Sequence, residues 1–346
     1  MPQTGAGEIR QDPLTHRWVI YAPGRAERPN EMEPARGKAD RLPEKDAQCP
    51  FCSGHEAMTP PVILELPGDG PQRWRTRVVP NKYPVLRPDA QVAGTSRGSY
   101  RVTTNYGRHE VVIETPFHDR DLPFMTAAEA GAVIETYVQR HQAIRSLDAA
   151  VKTILIFRNH GRRAGTSLRH PHSQIVATAL VPESVALRER IAADYYRQNQ
   201  RCVLCDIIAW EQSERTRLLY ENDSFLSFVP FAAAAPCEIW IAPRRHAADF
   251  GSIPSQEQGP LAAALQDALR RLHETLNDPD YNYVIHSGFR PELKVPHRHW
   301  YLEIRPRLTT PAGFEIGSGM EINPSWPERD AEALRRQNRD STSETA

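Results

Sequence analysis

The feature that most constrains the fold of this chain is a repeated order of motifs. Each half contains a Cys-x-x-Cys pair, a strand-like segment that leads to a histidine, a helix-like segment, a further strand-like segment, a loop and a His-x-His pair. The Cys-x-x-Cys pairs begin at Cys49 and Cys202, and the His-x-His pairs occupy 170–172 and 297–299. A repeated order of this kind indicates one folding unit that occurs twice. We therefore predict two domains, 1–190 and 191–346.

The repeat also indicates the fold class. Each half has one helix-like segment, at about 126–146 and 255–276, among short strand-like segments such as 110–114 and 283–285. One helix among several strands fits antiparallel pairing better than a regular alternation of strand and helix. We predict an α+β fold with antiparallel sheets and flanking helices. After about Pro327 the chain is charged and has little apolar periodicity, which predicts a helix end or a loose tail.

Two spacings align the halves with each other. Eight positions separate a glutamate from a histidine in both halves, and nine separate a loop glycine from a histidine. The pairs aligned in this way are Glu110 with Glu238, His118 with His246, Gly161 with Gly288, and His170 with His297. The alignment gives each half a Cys-x-x-Cys pair and two histidines at matching positions.

Paired cysteines and matched histidines predict a structural metal site in each half. Zinc binds a Cys2His2 set tetrahedrally, and a full set leaves no open position for chemistry. The first set comprises Cys49, Cys52, His118 and His170. The second set comprises Cys202, Cys205, His246 and either His297 or His299. The alignment of the halves favours His297 as the fourth ligand, and the alternative to metal binding is a group of buried free thiols.

Composition excludes several kinds of partner. The 43 basic and 43 acidic residues give zero formal net charge, so the chain lacks the basic field that attracts nucleic acid. No apolar run approaches the ~18 residues of a membrane span, and the first ten residues lack the apolar core of a secretory signal. Five cysteines in a chain of this length do not form a disulfide framework. We expect a cytoplasmic protein without nucleic-acid or membrane partners.

The segment from His170 to Gln174 is the strongest candidate for chemistry. Alternate side chains share one face of a strand, so positions 170, 172 and 174 would place two imidazoles and a carboxamide together. The preceding loop, 159–167, is rich in glycine, arginine and hydroxyl side chains and could hold an anion with backbone N–H groups. An imidazole beside an anion-binding loop suggests attack on phosphorus. The alternative is two surface histidines on an edge strand.

These residues resemble the galactose-1-phosphate uridylyltransferases of the histidine-triad superfamily. The resemblance covers about residues 9–325. The segments that carry it are Asp12-Pro13-Leu14-Thr15, the loop 25–29, Cys49-Pro50-Phe51-Cys52, Asn159 with the glycine-containing loop, and His170-Pro171-His172-Ser173-Gln174. It implies two histidine-triad folds in one chain, ping-pong nucleotidyl transfer, and a homodimer whose active sites draw on both chains. It also favours His299 over His297 as the metal ligand.

The resemblance implies roles for individual residues. His172 matches the nucleophile that attacks the α-phosphorus of UDP-glucose, releases glucose-1-phosphate and carries UMP to galactose-1-phosphate. Gln174 matches the residue that hydrogen-bonds the uridylyl phosphate, and since glutamine cannot act as a general base for water, it favours transfer over hydrolysis. Residues that match phosphate-loop contacts are Asn159, Gly165 and Ser167; those near nucleotide contacts are Arg28, Asn81 and Lys82; those near the hexose are Phe314 and Glu315.

Departures from the family pattern leave the substrates open. Tyr301 and Glu303 stand where some members carry iron-binding histidines, so we expect no iron. The segment 309–315 lacks the lysine that those members use for the sugar phosphate. Segments 277–283 and 313–319 also resemble plant-type ADP-glucose phosphorylase, which transfers AMP to phosphate. The alternatives are therefore this phosphorylase, a related hydrolase, or a zinc-stabilised nucleotide-binding protein without turnover.

Overall fold

The computed structural model describes residues 7–27, 42–68, 73–288 and 295–340. The strands are β1 (Glu8–Gln11), β2 (Trp18–Tyr21), β3 (Leu64–Pro67), β4 (Trp74–Pro80), β5 (Gly94–Arg97), β6 (Tyr100–Thr103), β7 (Gly107–Ile113), β8 (Thr153–His160), β9 (His172–Thr178), β10 (Leu218–Glu221), β11 (Phe225–Phe228), β12 (Ile239–Pro243), β13 (Tyr281–His286), β14 (Tyr301–Pro306) and β15 (Glu321–Asn323). The helices are α1 (Ala127–Leu147), α2 (Glu183–Asn199), α3 (Val203–Glu214), α4 (Ser255–Leu276), α5 (Gly313–Ser318) and α6 (Pro327–Asp340). Short 3-10 turns occur at Pro23–Glu27, Glu56–Met58, Leu122–Phe124, Arg162–Ala164 and Phe250–Ser252. Within these ranges, no helix is both long and apolar enough to cross a membrane.

Ten strands form one antiparallel sheet that runs through both halves. Its order is β10-β11-β12-β14-β13-β8-β9-β7-β4-β3, and the halves meet where β8 pairs with β13. Outward from this pair, the two sides have the same chain order, and α1 and α4 each precede the innermost strand of their side. The prediction of a duplicated α+β fold with antiparallel strands and flanking helices is confirmed. In a smaller sheet, β2 pairs with both β1 and β15, and in another β5 pairs with β6.

Helices α1 and α4 pack against each other and cover one face of this sheet. A capping box starts α1, because the Thr126 hydroxyl accepts from the Glu129 N–H and the Glu129 carboxylate accepts from the Thr126 N–H. The shared core includes Val133 and Tyr137 from α1 and Leu265 from α4, all fully buried. On the opposite face, α3 covers part of the second half through Val203 and Leu204, which leaves the first half as the open face.

Successive side chains of a strand point to opposite faces of the sheet, and this decides which of them point away from α1 and α4. In β9, Ser173, Ile175 and Ala177 are fully buried towards the helices, so His172 and Gln174 point to the other side. In β14, Leu302 and Ile304 are likewise core residues. Tyr301 and Glu303 therefore point to the same side of the sheet as His172, but in the second half this side is covered and Tyr301 is buried against α3.

The strand register corrects the alignment that the spacings predict. His299, rather than His297, joins the second Cys/His cluster as His170 joins the first. Tyr301 then corresponds to His172 and Glu303 to Gln174. Because Gln174 pairs with Val111 and Glu303 with Trp240, Glu238 corresponds to His109 and not to Glu110. The loop before the second His-x-His pair contains two more residues than the corresponding loop of the first half. An alignment based on equal spacings cannot detect these extra residues.

The C-terminal segment is more ordered than its composition predicts. Residues after Pro327 form the helix α6, which packs against α4 through the fully buried Ala331 and Leu334. Two apolar anchors three positions apart hold a helix that is otherwise charged. The expectation of a helix end or a loose tail was therefore wrong for most of this segment.

Candidate active site and metal centres

His172 begins β9 and faces a cavity on the open side of the sheet. Its Nδ1–H donates to the His170 carbonyl oxygen over 2.9 Å, which leaves the lone pair on Nε2. Burial lowers the pKa of His172, and the charge on Arg158 lowers it further. The Phe51 ring lies 5.4 Å from the imidazole, centroid to centroid. The side chain is thus a neutral imidazole near pH 7, with Nε2 as its basic nitrogen.

The cavity beside His172 has a volume of about 570 Å³. The loop 161–167 forms part of its wall, and a 3-10 turn at Arg162–Ala164 tightens this loop. Gly161 and Gly165 both have positive φ, +82° and +89°, which favours glycine at these positions. The N–H groups of residues 163–166 already donate within the protein, to loop carbonyl oxygens or to Asp280, so the predicted anion site in this loop cannot rest on these four groups.

The second half of the chain supports this loop. The Asn282 side-chain amide on β13 donates to Asn159 Oδ1 over 2.8 Å and to the Ala164 carbonyl over 2.9 Å. Asp280 accepts a hydrogen bond from the Arg163 backbone N–H, and Asp278 lines the same cavity. The cavity is therefore formed by both halves, although the histidine motif belongs to the first.

A buried guanidinium lies in the cavity wall. Arg158 is 2% exposed, pairs with Asp121, and lies 3.4 Å from the Glu114 carboxylate, with Nη1 donating to Tyr281 OH over 3.1 Å. Although burial alone would raise it, Arg158 and His160 hold the pKa of Asp121 at about 2. Arg158 is thus held as a cation in the cavity wall by the two carboxylates beside it.

Gln174, on the same face of β9, is held by a histidine on the adjacent strand. His109 of β7 donates from Nε2 to Gln174 Oε1 over 2.7 Å. The His109 Nδ1 accepts from the Val85 backbone N–H over 3.2 Å, which assigns the ring proton to Nε2. Asn81 Nδ2 lies 3.1 Å from the same Nε2, and because that nitrogen already carries a proton, this pair is a contact rather than a second hydrogen bond.

The first Cys/His cluster lies directly behind the histidine motif. Ligand atoms of its four buried residues lie within 4.8 Å of one another: Cys49, Cys52, His118 and His170. Cys52 Sγ lies 3.6 Å from His118 Nδ1 and 3.7 Å from His170 Nδ1, near the roughly 3.6 Å expected between sulfur and nitrogen ligands around tetrahedral zinc. The His170 Nε2–H donates to the Thr115 carbonyl over 2.8 Å, which turns the Nδ1 lone pair towards the thiols.

The second cluster repeats this arrangement in the other half. Its members are Cys202, Cys205, His246 and His299. Cys205 Sγ lies 3.4 Å from Nδ1 of both histidines, and the His299 Nε2–H donates to the Pro243 carbonyl. His297 lies outside the cluster, because its Nε2 pairs with Glu189 at 2.6 Å. Both donor sets therefore fit a tetrahedral metal with no open position.

The position equivalent to His172 in the second half has different chemistry. Tyr301 and Glu303 replace the histidine and the glutamine, and His286 Nε2 contacts Glu303 Oε2 at 2.7 Å. Burial and the nearby negative charge of Glu303 raise the pKa of Glu238. This half therefore carries a buried acid network where the first carries an imidazole and an amide.

The remaining predicted residues are spread around the site. Asn159 and Ser167 line the cavity, and Gly165 ends the 3-10 turn in the left-handed conformation. Lys82 is exposed. Phe314 and Glu315 lie on α5 and do not line the cavity beside His172 of their own chain. Arg28 lies outside the described residues.

Three residues that shape this site were not predicted from the sequence: His109, Arg158 and Asn282. His109 and Asn282 reach it from neighbouring strands, and sequence patterns do not specify which strands are neighbours. Arg158 directly precedes the loop 159–167. Its position after the apolar residues 154–157 of β8 was the sequence feature that could have indicated a buried charge.

Comparisons with known proteins agree with this architecture. The family model described as galactose-1-phosphate uridyl transferase, N-terminal domain, matches residues 3–182, and a HIT domain model matches residues 211–302. ADP-glucose phosphorylase of Arabidopsis thaliana is 36% identical over 333 residues, covering 95% of this chain and 92% of that protein. Galactose-1-phosphate uridylyltransferase of Thermotoga maritima is 30% identical over 338 residues, covering 95% and 98%.

Solved structures show the same relationship. The crystal structure of the Arabidopsis thaliana ADP-glucose phosphorylase with bound ADP-glucose superposes with a TM-score of 0.82 at 33% identity, covering 96% of this chain and 98% of that one. A uridylyltransferase structure superposes with a TM-score of 0.74 at 27% identity, covering 96% and 99%. On this evidence, and with the duplicated fold already described, the chain belongs to the galactose-1-phosphate uridyl transferase family.

Proposed function

We propose that this protein is a nucleotidyltransferase that moves a nucleoside monophosphate from a nucleotide sugar to a phosphate acceptor through His172. The observation that carries the proposal is the Nε2 lone pair of His172, which faces a cavity walled by the glycine-containing loop 161–167. A neutral imidazole with one nitrogen fixed by a hydrogen bond is a competent nucleophile. Family membership and the names of the relatives support this reaction class.

The reaction has two matched displacements at the α-phosphorus. The His172 Nε2 lone pair forms a bond to phosphorus while the bond from phosphorus to the bridging oxygen breaks, so the sugar-1-phosphate leaves with that electron pair. A phosphate oxygen of the acceptor then attacks phosphorus, and the N–P electrons return to Nε2. A sugar phosphate needs little protonation on leaving, so no separate general acid is required. The Gln174 amide would stabilise the phosphoryl oxygens.

Two donor and acceptor pairs fit this chemistry. The first candidate is transfer of UMP from UDP-glucose to a hexose-1-phosphate, and it is supported by the family model and the relatives at 26–30% identity, which are named galactose-1-phosphate uridylyltransferases. Transfer of AMP from ADP-glucose to phosphate is the second candidate, and the higher identity and TM-score of the plant phosphorylase favour it. Both routes use the same nucleophile and differ in the base and in the acceptor.

Covalent labelling separates these candidates. The protein is incubated with UDP-glucose or ADP-glucose labelled at the α-phosphorus, and acid-labile label on the chain is measured. Label from only one donor identifies the base, and addition of galactose-1-phosphate or of phosphate then identifies the acceptor that removes it. His172→Gly is the control, and it should abolish labelling while both metal sites stay filled. A wild-type protein that takes no label from either donor would instead be a nucleotide-binding protein without turnover.

We further propose zinc as the metal of both Cys/His clusters, in a structural role. Two thiolates and two imidazoles are the ligands that zinc prefers, and neither set leaves a position for water or substrate. The first cluster links the Cys-x-x-Cys turn to the segment that carries His172, so bound zinc would hold the nucleophile in place. Metal analysis of the purified protein tests the identity and the stoichiometry.

We also propose that the protein is cytoplasmic and forms a homodimer, in which each chain contains the domains 1–190 and 191–346. Phe314 is 49% exposed on α5 and does not line the cavity of its own chain, which supports a role in the site of a second copy. Mixing His172→Gly with Glu315→Ala tests this. If sites are shared, mixed dimers regain part of the activity that each variant lacks, whereas independent sites give no recovery.

A further inference from the structure

The contact between His109 and Gln174 fixes the orientation of the Gln174 amide. The His109 Nδ1 is occupied by the Val85 N–H, so Nε2 must be the protonated nitrogen. That nitrogen donates to Gln174 Oε1 over 2.7 Å. Once Oε1 is bound to His109, the NH2 group is the end of the amide that is left for a ligand. Among the residues that the structure describes, none accepts a hydrogen bond from Gln174 Nε2.

The orientation of this amide decides what Gln174 can do. An NH2 group donates to phosphoryl oxygens and stabilises the negative charge that develops on them. A carbonyl oxygen in the same place would repel those oxygens and would accept a hydrogen bond from water. A glutamine alone does not choose between these orientations, because the two ends of the amide have almost the same shape.

The second half of the chain supports a specific pairing of His109 with Gln174. The corresponding positions are Glu238, which directly precedes β12, and Glu303 on β14. Glu303 contacts His286, and Glu238 accepts from the Trp240 indole N–H over 2.8 Å, so neither supplies a donor to the other. The donor and acceptor pair therefore occurs in the half that also carries the histidine nucleophile.

We propose that His109 is a positioning residue that orients the Gln174 amide so that transfer is favoured over hydrolysis. The inference rests on the proposed function, in which His172 carries the nucleotidyl group. With His109 present, the Gln174 NH2 faces the phosphoryl group, and the acceptor phosphate displaces Nε2. With the amide reversed, a water molecule is held near phosphorus; its oxygen forms the new P–O bond, the N–P electrons return to His172, and its proton passes to solvent.

A matched pair of substitutions tests the donor at position 109. Gln and Glu have the same shape, and each reaches about as far from the backbone as the histidine Nε2. His109→Gln keeps an N–H that can donate to Gln174, whereas His109→Glu places an acceptor there and forces the amide to reverse. His109→Leu removes the donor without adding an acceptor. Melting temperature and zinc content of each variant report on folding.

Two quantities are measured with whichever labelled donor modifies the wild-type protein. They are the single-turnover rate of labelling and the fraction of label released as free nucleoside monophosphate when acceptor is present. We expect His109→Glu to label about 10²-fold more slowly, the usual effect of losing one oxyanion donor, and to release several times more free monophosphate. His109→Gln should stay within a few-fold of wild type, and His109→Leu should lie between them.

The outcomes separate this inference from the proposed function. A wild-type protein that takes no label overturns both. A labelled wild type with equal losses in the Gln and Glu variants, and an unchanged free-monophosphate fraction, overturns the role of His109 alone. If His109→Glu fails to fold, the comparison of His109→Leu with His109→Gln is used instead. Equal fractions of free monophosphate from these two variants would also overturn the role of His109.

Discussion

Replacing Gly161 with alanine tests the packing that shapes the loop next to His172. Gly161 has φ +82° and ψ 162°, a region that side chains avoid. A Cβ atom at this position would also overlap the Asp280 carboxylate and lie 2.9 Å from Asp280 Cβ. Asp280 in turn accepts from the Arg163 N–H inside the loop. The substitution therefore combines backbone strain with a steric clash against a residue that anchors the loop.

Two other glycines separate these contributions. Gly165 has φ +89° but open space around its Cβ position, so Gly165→Ala carries strain alone, about 1–2 kcal/mol. Gly131 lies in α1 with no heavy atom within 4 Å of its Cβ position, so Gly131→Ala should stabilise by up to about 1 kcal/mol. For Gly161→Ala, strain of about 1–3 kcal/mol and overpacking of about 1–3 kcal/mol together predict a loss of about 2–6 kcal/mol.

Urea unfolding of the three variants measures these free energies, and labelling of His172 follows the effect on the site. Gly161→Ala should be the least stable and should label slowly, because the loop shifts to release Asp280. Adding Asp280→Ala should recover part of the loss, since the carboxylate is the main obstacle. Equal destabilisation by Gly161→Ala and Gly165→Ala, with no recovery in the double variant, would refute the steric argument.

Three further predictions concern the metal centres, pH dependence and the contact between the halves. Cys52→Ser and Cys205→Ser should each remove one of two zinc ions per chain and lower the melting temperature; loss of both ions from either variant would contradict independent sites. Burial lowers the pKa of His141 to about 4, well below the usual range of a histidine. The unfolded chain therefore binds this proton first, and stability should fall by up to about 3 kcal/mol as pH drops from 6.5 to 4. The free energy of unfolding of His141→Gln should depend less on pH across this range. If its pH dependence equals that of the wild type, the loss of stability must come from other groups. Asn282→Ala leaves the Ala164 carbonyl without its amide donor and should raise KM for the nucleotide sugar about tenfold with a smaller change in kcat; an effect on kcat alone would contradict a loop-supporting role.

The fold could be predicted from the sequence because the patterns that indicate its helices and strands are local and occur in both halves. The helix predicted at 255–276 is α4, and the helix predicted at about 126–146 lies within a residue or two of α1. Strand periodicity indicated that positions 172 and 174 share a face, and β9 has that arrangement. Helix caps, apolar spacing and alternation act within a few residues, so they can be recognised without knowledge of tertiary contacts.

The site was harder to predict because its supports come from distant parts of the chain. His109 and Gln174 are 65 positions apart, and Asn159 and Asn282 are 123 apart. Only the order of strands in the sheet makes these pairs neighbours. The spacing of the motifs indicated His297 as the fourth ligand, whereas the family resemblance favoured His299, which is the histidine found in the cluster. The spacing was misleading because the loop before these histidines differs in length between the two halves.

The pairing of β8 with β13 has a consequence for any attempt to divide this protein. A fragment that ends near residue 190 would leave the edge of β8 without a partner along most of its length, and a fragment that starts there would expose β13 in the same way. Exposed strand edges of this kind recruit other chains. Each fragment made alone should therefore form self-paired or aggregated species, while co-expression should let the two edges find each other and rebuild the cavity from separate polypeptides.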